Sequence, residues 1–101
     1  MNPVAQALSE RFNAQAAQEL EASFQFCIQD QDDFYIQIEG ADCQIHAGIQ
    51  DLPSVTLKLN QATLEAIFQG ELDGMKAFMT GQLGVEGDMM LATRLTQLFP
   101  A

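Results

Sequence analysis

The chain has 101 residues, 48% of them hydrophobic, which is enough to bury one core and too few for two ordinary domains. Its 14 acidic and 4 basic residues give a formal net charge of -10. This charge argues against nucleic-acid binding and against direct docking on an anionic membrane, because both surfaces attract lysine and arginine. We therefore expect a single domain over residues 1–101.

The sequence has few signals that would assign it to a membrane or an oxidising compartment. No apolar run approaches the length of a membrane span, and the first residues mix Gln, Glu and Asn with apolar ones. The two cysteines, Cys27 and Cys43, do not make a disulfide framework in a chain of this size. We expect a cytoplasmic protein.

The N-terminal segment has the pattern of an amphipathic helix. Asn2 and Pro3 are typical of an N-cap and a first helical position. Apolar residues then recur at every fourth position, and together they predict one buried helical stripe: Val4, Leu8, Phe12, Ala16 and Leu20.

After Ser23 the hydrophobic period changes to two. Four segments alternate apolar with polar residues and predict strands: Phe24–Ile28, Phe34–Ile38, Cys43–Ile49 and Val55–Leu59. Each predicted strand has one apolar and one polar face, which is typical of a largely antiparallel sheet covered on one side only. The helices should then all lie on that side.

Helix caps organise the C-terminal half. Asn60, Asp73 and Asp88 stand where N-caps are expected, and Gly70 and Gly81 stand where the first two of these helices would end. The pattern predicts two short helices and a longer last one.

A fifth strand is predicted between the second and third of these caps. It covers Gln82–Gly87, with Leu83 and Val85 facing inward, and Pro100 should end the last helix. That helix has an apolar stripe made of Leu91, Ala92, Leu95, Leu98 and Phe99.

A series of residues between Pro53 and Leu98 carries a family resemblance. In order, they are Gly70, Leu72-Asp73, Ala77-Phe78, Gly81, Leu83, Val85, Gly87-Asp88-Met89, Leu91-Ala92 and Arg94-Leu95. This segment resembles the sterol carrier protein-2 family, small domains that hold a lipid in an apolar cavity. The resemblance implies an α/β (α+β) fold: a five-stranded, mainly antiparallel sheet with helices packed on one face and an apolar tunnel between them. It also implies a non-catalytic carrier of a fatty acyl chain, a sterol or an isoprenoid, without a cofactor.

Methionine and phenylalanine are concentrated near the end of the chain. Unbranched thioethers repack around ligands of different shape, so this group predicts an adaptable lipid-binding wall, although methionine also fills gaps in ordinary cores. A polar head group is expected near Lys76, Thr80 or Gln82. The predicted lipid-binding residues are Phe24, Phe26, Phe34, Ile36, Leu57, Leu64, Phe68, Met75, Phe78, Met79, Leu83, Val85, Met89, Met90, Leu95 and Phe99.

Two other function classes stay open. One is an interaction module with the same fold and a filled core. The resemblance includes accessory proteins of isoprenoid-quinone synthesis, and the acidic charge favours exchange with a protein partner. The other is an enzyme built around Cys27 and His46, which the predicted strand parity places on a bare sheet face without walls for a substrate.

Metal and nucleotide sites are not predicted. The spacing of Gly81, Gly84 and Gly87 fits no nucleotide-binding fingerprint, and the acidic turn Asp30–Asp33 lacks the spacing and distal glutamate of a calcium loop.

Overall fold

A computed structural model describes residues 3–17, 20–40 and 42–99 of the chain. The cap predicted at Asn2 and the helix end predicted at Pro100 lie outside the described residues. The elements, in order, are α1 (Pro3–Glu10), β1 (Glu21–Ile28), β2 (Phe34–Glu39), β3 (Asp42–Ala47), β4 (Val55–Leu59), α2 (Gln61–Phe68), α3 (Gly74–Met79), β5 (Gly84–Gly87) and α4 (Met89–Leu98).

The strands of the described residues form one sheet in the order β3-β2-β1-β4-β5. β1 pairs antiparallel with β2, β2 with β3, and β4 with β5, whereas β1 and β4 run parallel. The sheet is therefore mixed and mainly antiparallel. The parallel pair arises because the chain returns from the edge strand β3, past β2 and β1, to begin β4.

The strand register collects the apolar residues on one face. Phe26 lies opposite Phe34 on one side and Leu57 on the other, and the Phe26 and Phe34 rings stack with centroids 4.8 Å apart. Phe24 lies between Ile36 and Val55 in the same way. These side chains are buried, so alternation correctly identified the inner face.

The first helix is shorter than predicted: its apolar spacing continues to Leu20, whereas α1 ends at Glu10. Arg11 Nη1 donates to Phe68 O at 2.8 Å, and the Asn13 backbone N–H donates to Leu98 O at 2.7 Å. Asn13 Oδ1 also accepts from the Gln15 N–H at 3.1 Å, which favours a turn over a continuing helix. Phe12, Ala16 and Leu20 still pack against the core, so the predicted stripe holds for burial but not for helix length.

The outer face of the sheet is not bare at its centre. Gln25, which alternation assigned to solvent, is 2% exposed. Its Nε2 donates to Phe34 O and Gly48 O, both at 3.1 Å, and its Oε1 accepts from the Gln50 N–H at 2.7 Å. The connection from β3 to β4 crosses over this side chain, and Ser54 closes it through bonds to Ser23.

Gly87 is a glycine for a steric reason. It has φ +101°, and a Cβ at this position would lie 2.7 Å from Ser54 O. Only glycine combines this backbone conformation with so close an approach. The close approach fixes the end of β5 and the position of Asp88, which is the N-cap of α4.

Candidate functional site

An apolar cavity of about 370 Å³ lies between the inner face of the sheet and helices α2 to α4. This volume falls within the range of about 300 to 1,000 Å³ that is usual for small-molecule sites. Its floor consists of Phe26, Leu57, Leu59 and Val85 from β1, β4 and β5. The floor follows from the strand register, because Leu57 lies opposite both Phe26 and Val85.

One wall is formed by α2. The Asn60 side chain caps this helix by accepting from the Thr63 N–H at 2.8 Å. The cap fixes where the helical period begins, and the period then directs Leu64, Ile67 and Phe68 towards the cavity.

The opposite wall comes from α3, α4 and the segment between them. Asp73 caps α3 through the Met75 N–H at 3.0 Å, and Asp88 caps α4 through the Met90 N–H at 2.9 Å. The residues of this wall are Asp73, Gly74, Met75, Phe78, Leu83, Met89, Met90, Ala92, Thr93 and Leu95.

The cavity opens to solvent on the methionine side. Met75 is 57% exposed and Met90 is 76% exposed, although both line the cavity, and Phe78 and Met89 are also exposed. Exposed, flexible thioethers that line an apolar space are suited to adjust to ligands of different shape. We call Met75, Phe78, Met89 and Met90 the mouth.

Most of the predicted lipid-binding residues line this cavity. They are Phe26, Leu57, Leu64, Phe68, Met75, Phe78, Leu83, Val85, Met89, Met90 and Leu95. Their contact with a lipid remains a prediction, since what the structure describes is the space that they surround.

The structure places five predicted residues elsewhere. Phe24, Phe34, Ile36 and Phe99 are buried in the close-packed part of the core, where side chains already fill the space. Phe99, for example, lies between the rings of Phe12 and Phe68, at centroid distances of 5.7 and 6.4 Å. The expectation that Met79 faces inward is wrong, because α3 turns this side chain to solvent and leaves it 79% exposed.

Some cavity residues were missed by the sequence prediction. Leu59 shares strand parity with Leu57, Ala92 belongs to the apolar stripe predicted for the last helix, and Ile67 follows Leu64 at helical spacing, so a signal for them was present. Asp73 was assigned a capping role alone, and nothing in the pattern marked Gly74 or Thr93.

The residues expected near a polar head group do not line the cavity. Lys76, Thr80 and Gln82 are exposed and lie outside the cavity lining. Thr80 Oγ1 instead bonds to the carbonyls of Lys76 and Ala77, at 3.0 and 3.2 Å. Asp73 and Thr93 are the polar side chains that line the cavity among the described residues.

The structure does not bring Cys27 and His46 together. His46 lies on β3 and Cys27 on β1, and strand β2 lies between them. Tyr35 of β2 is the neighbour of His46, with ring centroids 5.2 Å apart, and the residue of β1 opposite Tyr35 is Gln25 and not Cys27. Burial, and then the nearby Asp33 carboxylate, raise the pKa of the Cys27 thiol, which lowers its thiolate fraction. This arrangement gives no support to nucleophilic catalysis by this pair.

The two thiols also lie on opposite faces of the sheet. Cys43 pairs with Ile38 on the inner face, where burial raises its pKa to about 11, whereas Cys27 pairs with Lys58 on the outer face. Both thiols are free.

Among the described residues, no group of three or more His, Cys, Asp and Glu side chains is placed to hold a metal ion. No helix in this part of the chain is long and apolar enough to cross a membrane.

Comparison with known proteins supports the resemblance seen in the sequence. The SCP-2 sterol transfer family matches residues 4–100 of the chain. No curated protein sequence matches significantly.

Several solved structures share the fold at low sequence identity. A part of the stereoselective inverting sec-alkylsulfatase Pisa1 from Pseudomonas sp. has 20% identity and a TM-score of 0.90, covering 99% of this chain and 16% of the alkylsulfatase. Palmitated SCP2L2 from Aedes aegypti has 19% identity and a TM-score of 0.71, covering 100% of this chain and 96% of that chain. The ubiquinone synthesis protein UbiJ-SCP2 has 12% identity and a TM-score of 0.73, covering 94% and 84%. The predicted fold, a five-stranded sheet with helices, is thereby confirmed.

Proposed function

This chain belongs to the SCP-2 sterol transfer family, and we propose that it binds and carries an apolar lipid in the cavity between the sheet and helices α2 to α4. The ligand is a fatty acyl chain, a sterol or an isoprenoid, and it is held without chemical change. The observation that carries this proposal is the cavity itself, whose floor and walls are almost wholly apolar and whose mouth is lined by three methionines and Phe78.

The energetics are sufficient for reversible binding. Each methylene moved from water into the cavity contributes about 0.8 kcal/mol, so a fatty-acid-length tail offers on the order of 10 kcal/mol. Loss of ligand freedom offsets at least about 4 kcal/mol of this, which leaves about 6 kcal/mol or less, a dissociation constant of tens of micromolar or weaker, without a charged anchor. A carrier that must also release its ligand benefits from such an intermediate affinity.

Related structures support the same proposal. The Aedes aegypti protein is described as palmitated, and the Pseudomonas enzyme as an alkylsulfatase, so both names refer to alkyl chains. This chain spans only 16% of the alkylsulfatase, and we therefore carry over the fold and not the enzyme's activity.

The direct test is to identify what the purified protein holds. The chain is purified without detergent, extracted with organic solvent and analysed by mass spectrometry. We expect a lipid in the extract, together with a rise in melting temperature when fatty acids, fatty alcohols, sterols or prenols are added. An empty extract combined with no thermal shift would contradict the carrier function.

A second candidate is an accessory interaction module. The fold neighbour UbiJ-SCP2 is a ubiquinone synthesis protein, and this chain exposes Met79 and Met90 beside the cavity on a strongly acidic molecule. This charge favours exchange with a protein partner over docking on an anionic membrane. The test is to look for a protein that co-purifies with the chain. If this partner still co-purifies after Met79→Gln and Met90→Gln, the exposed methionines do not take part in the interaction.

A further inference from the structure

We propose, on the basis of the function proposed above, that the preferred ligand ends in an uncharged hydroxyl group and that Asp73 selects against free fatty acids. The observation behind this is the chemistry of the polar atoms around an otherwise apolar cavity. Those side chains offer hydrogen-bond acceptors and negative charge, so the complementary ligand end is a neutral donor.

Asp73 supplies the first acceptor. It lines the cavity, is exposed at the start of α3 and accepts the Met75 N–H at 3.0 Å. An ionised carboxylate only accepts hydrogen bonds and has about four lone-pair sites, of which this cap uses one. A ligand hydroxyl at this end of the cavity can donate to the same carboxylate.

Thr93 supplies the second acceptor. Its Oγ1 donates to Met90 O at 2.7 Å, within α4. A hydroxyl has one proton, so this bond leaves Thr93 with lone pairs to offer to a ligand. Both polar side chains of the lining therefore favour a donor.

The basic residues do not lie where they could neutralise the negative charge of an anionic ligand in the cavity. Arg11 donates to Phe68 O at 2.8 Å, Arg94 donates to Ala16 O at 3.2 Å, and Lys58 forms an ion pair with Glu86 across β4 and β5 at 3.2 Å. Lys76 is exposed on α3 outside the cavity lining. These four are the lysines and arginines of the chain, and none of them lines the cavity.

A carboxylate ligand instead meets negative charge. Asp73 stands at the cavity, Asp88 caps the neighbouring helix α4, and the whole chain carries -10. Two like charges about 4 Å apart repel by about 1 kcal/mol even in bulk water, which is about fivefold in affinity. Low ionic strength increases the effect because screening weakens.

The test compares three probes with the same chain length: 1-decanol, decanoate and methyl decanoate. Each displaces diphenylhexatriene, an uncharged fluorophore, from the protein at neutral pH and low salt. We expect 1-decanol to bind at least about fivefold more tightly than decanoate. It should also bind more tightly than methyl decanoate, which can accept but not donate a hydrogen bond.

Asp73→Asn isolates the charge, because asparagine caps helices about as well as aspartate. We expect this variant to bind decanoate about fivefold more tightly and methyl decanoate unchanged. Asp88→Asn is the matched control: it makes the same change of charge and cap at a residue outside the cavity lining, and its effect on decanoate should be clearly smaller.

The outcomes separate the two proposals. Decanoate that binds as tightly as 1-decanol, or an Asp73→Asn effect no larger than that of Asp88→Asn, overturns the selectivity while the carrier function stands. Failure of all three probes to bind overturns the selectivity and the binding of linear alkyl chains, whereas the carrier function as a whole is overturned by an empty extract without a thermal shift.

Discussion

The inner face of the sheet has two halves that use the same kinds of residue in different ways. On β2, beside the strand β3 that α1 contacts, Phe34 and Ile36 are fully buried by other side chains. Around β4 and β5, where α4 makes contact, Leu57 and Val85 form the floor of a cavity. We call these the packed half and the open half.

The difference lies in the covering helices and not in the strands. α1 brings Ala5 and Leu8 into full burial against the sheet, and the segment after it adds Phe12. On the other side, α3 begins at Gly74, where an added Cβ would meet only Ile67, 4.0 Å away. Protein interiors are normally close-packed, and this open region of the same core is the place that we propose for the ligand.

The largest expected effect tests whether the two halves differ in packing. Phe34→Ala in the packed half should lower the free energy of unfolding by about 3 to 5 kcal/mol, because it leaves a void among tightly packed side chains. Phe78→Ala makes the same change at the mouth, where the ring is already partly exposed, and should cost about 1 kcal/mol. Urea titration followed by far-ultraviolet circular dichroism measures both, since the chain has no tryptophan. Similar costs would mean that the two halves are equally packed.

A smaller effect is expected from filling the open half. Ala92 on α4 is half-buried and lines the cavity, so Ala92→Phe places a ring in the space proposed for the lipid. We expect the affinity for 1-decanol to fall by about tenfold or more, which is about 1.4 kcal/mol, with the stability kept. Ala62→Phe, on the exposed side of α2, is the control and should leave both unchanged. Unchanged affinity in Ala92→Phe would show that the lipid binds elsewhere.

The sequence allowed the fold to be predicted because local chemistry determines most of it. Strand alternation identifies the inner face, and Asn60, Asp73 and Asp88 act as caps where they were predicted. Tertiary contacts decided the exceptions. Arg11 and Asn13 end α1 through bonds to Phe68 and Leu98, and Gln25 is buried by a connection that crosses the sheet.

The site was predictable only in part, for a related reason. Alternation shows which side chains point inward, but not whether another side chain or a ligand fills the space above them. Phe24 and Phe26 illustrate this limit: they lie two residues apart on the same face of β1, and only Phe26 lines the cavity. Helix α3 is also short, so its hydrophobic pattern could not show that Phe78 lines the cavity whereas Met79 faces solvent.

The smallest expected effect distinguishes the cavity from exposed methionine in general. Met79 and Met90 are 79% and 76% exposed, so both are surface residues, yet only Met90 lines the cavity. Met90→Gln should lower the affinity for 1-decanol by about fourfold, the equivalent of one buried methylene, whereas Met79→Gln should leave it unchanged. Both should keep the free energy of unfolding within about 0.5 kcal/mol, as is usual for surface substitutions. If the two variants weaken binding equally, the lipid is recruited by the exposed methionine surface as a whole. A loss confined to Met90 means that the ligand is held where α4 meets the open half of the sheet.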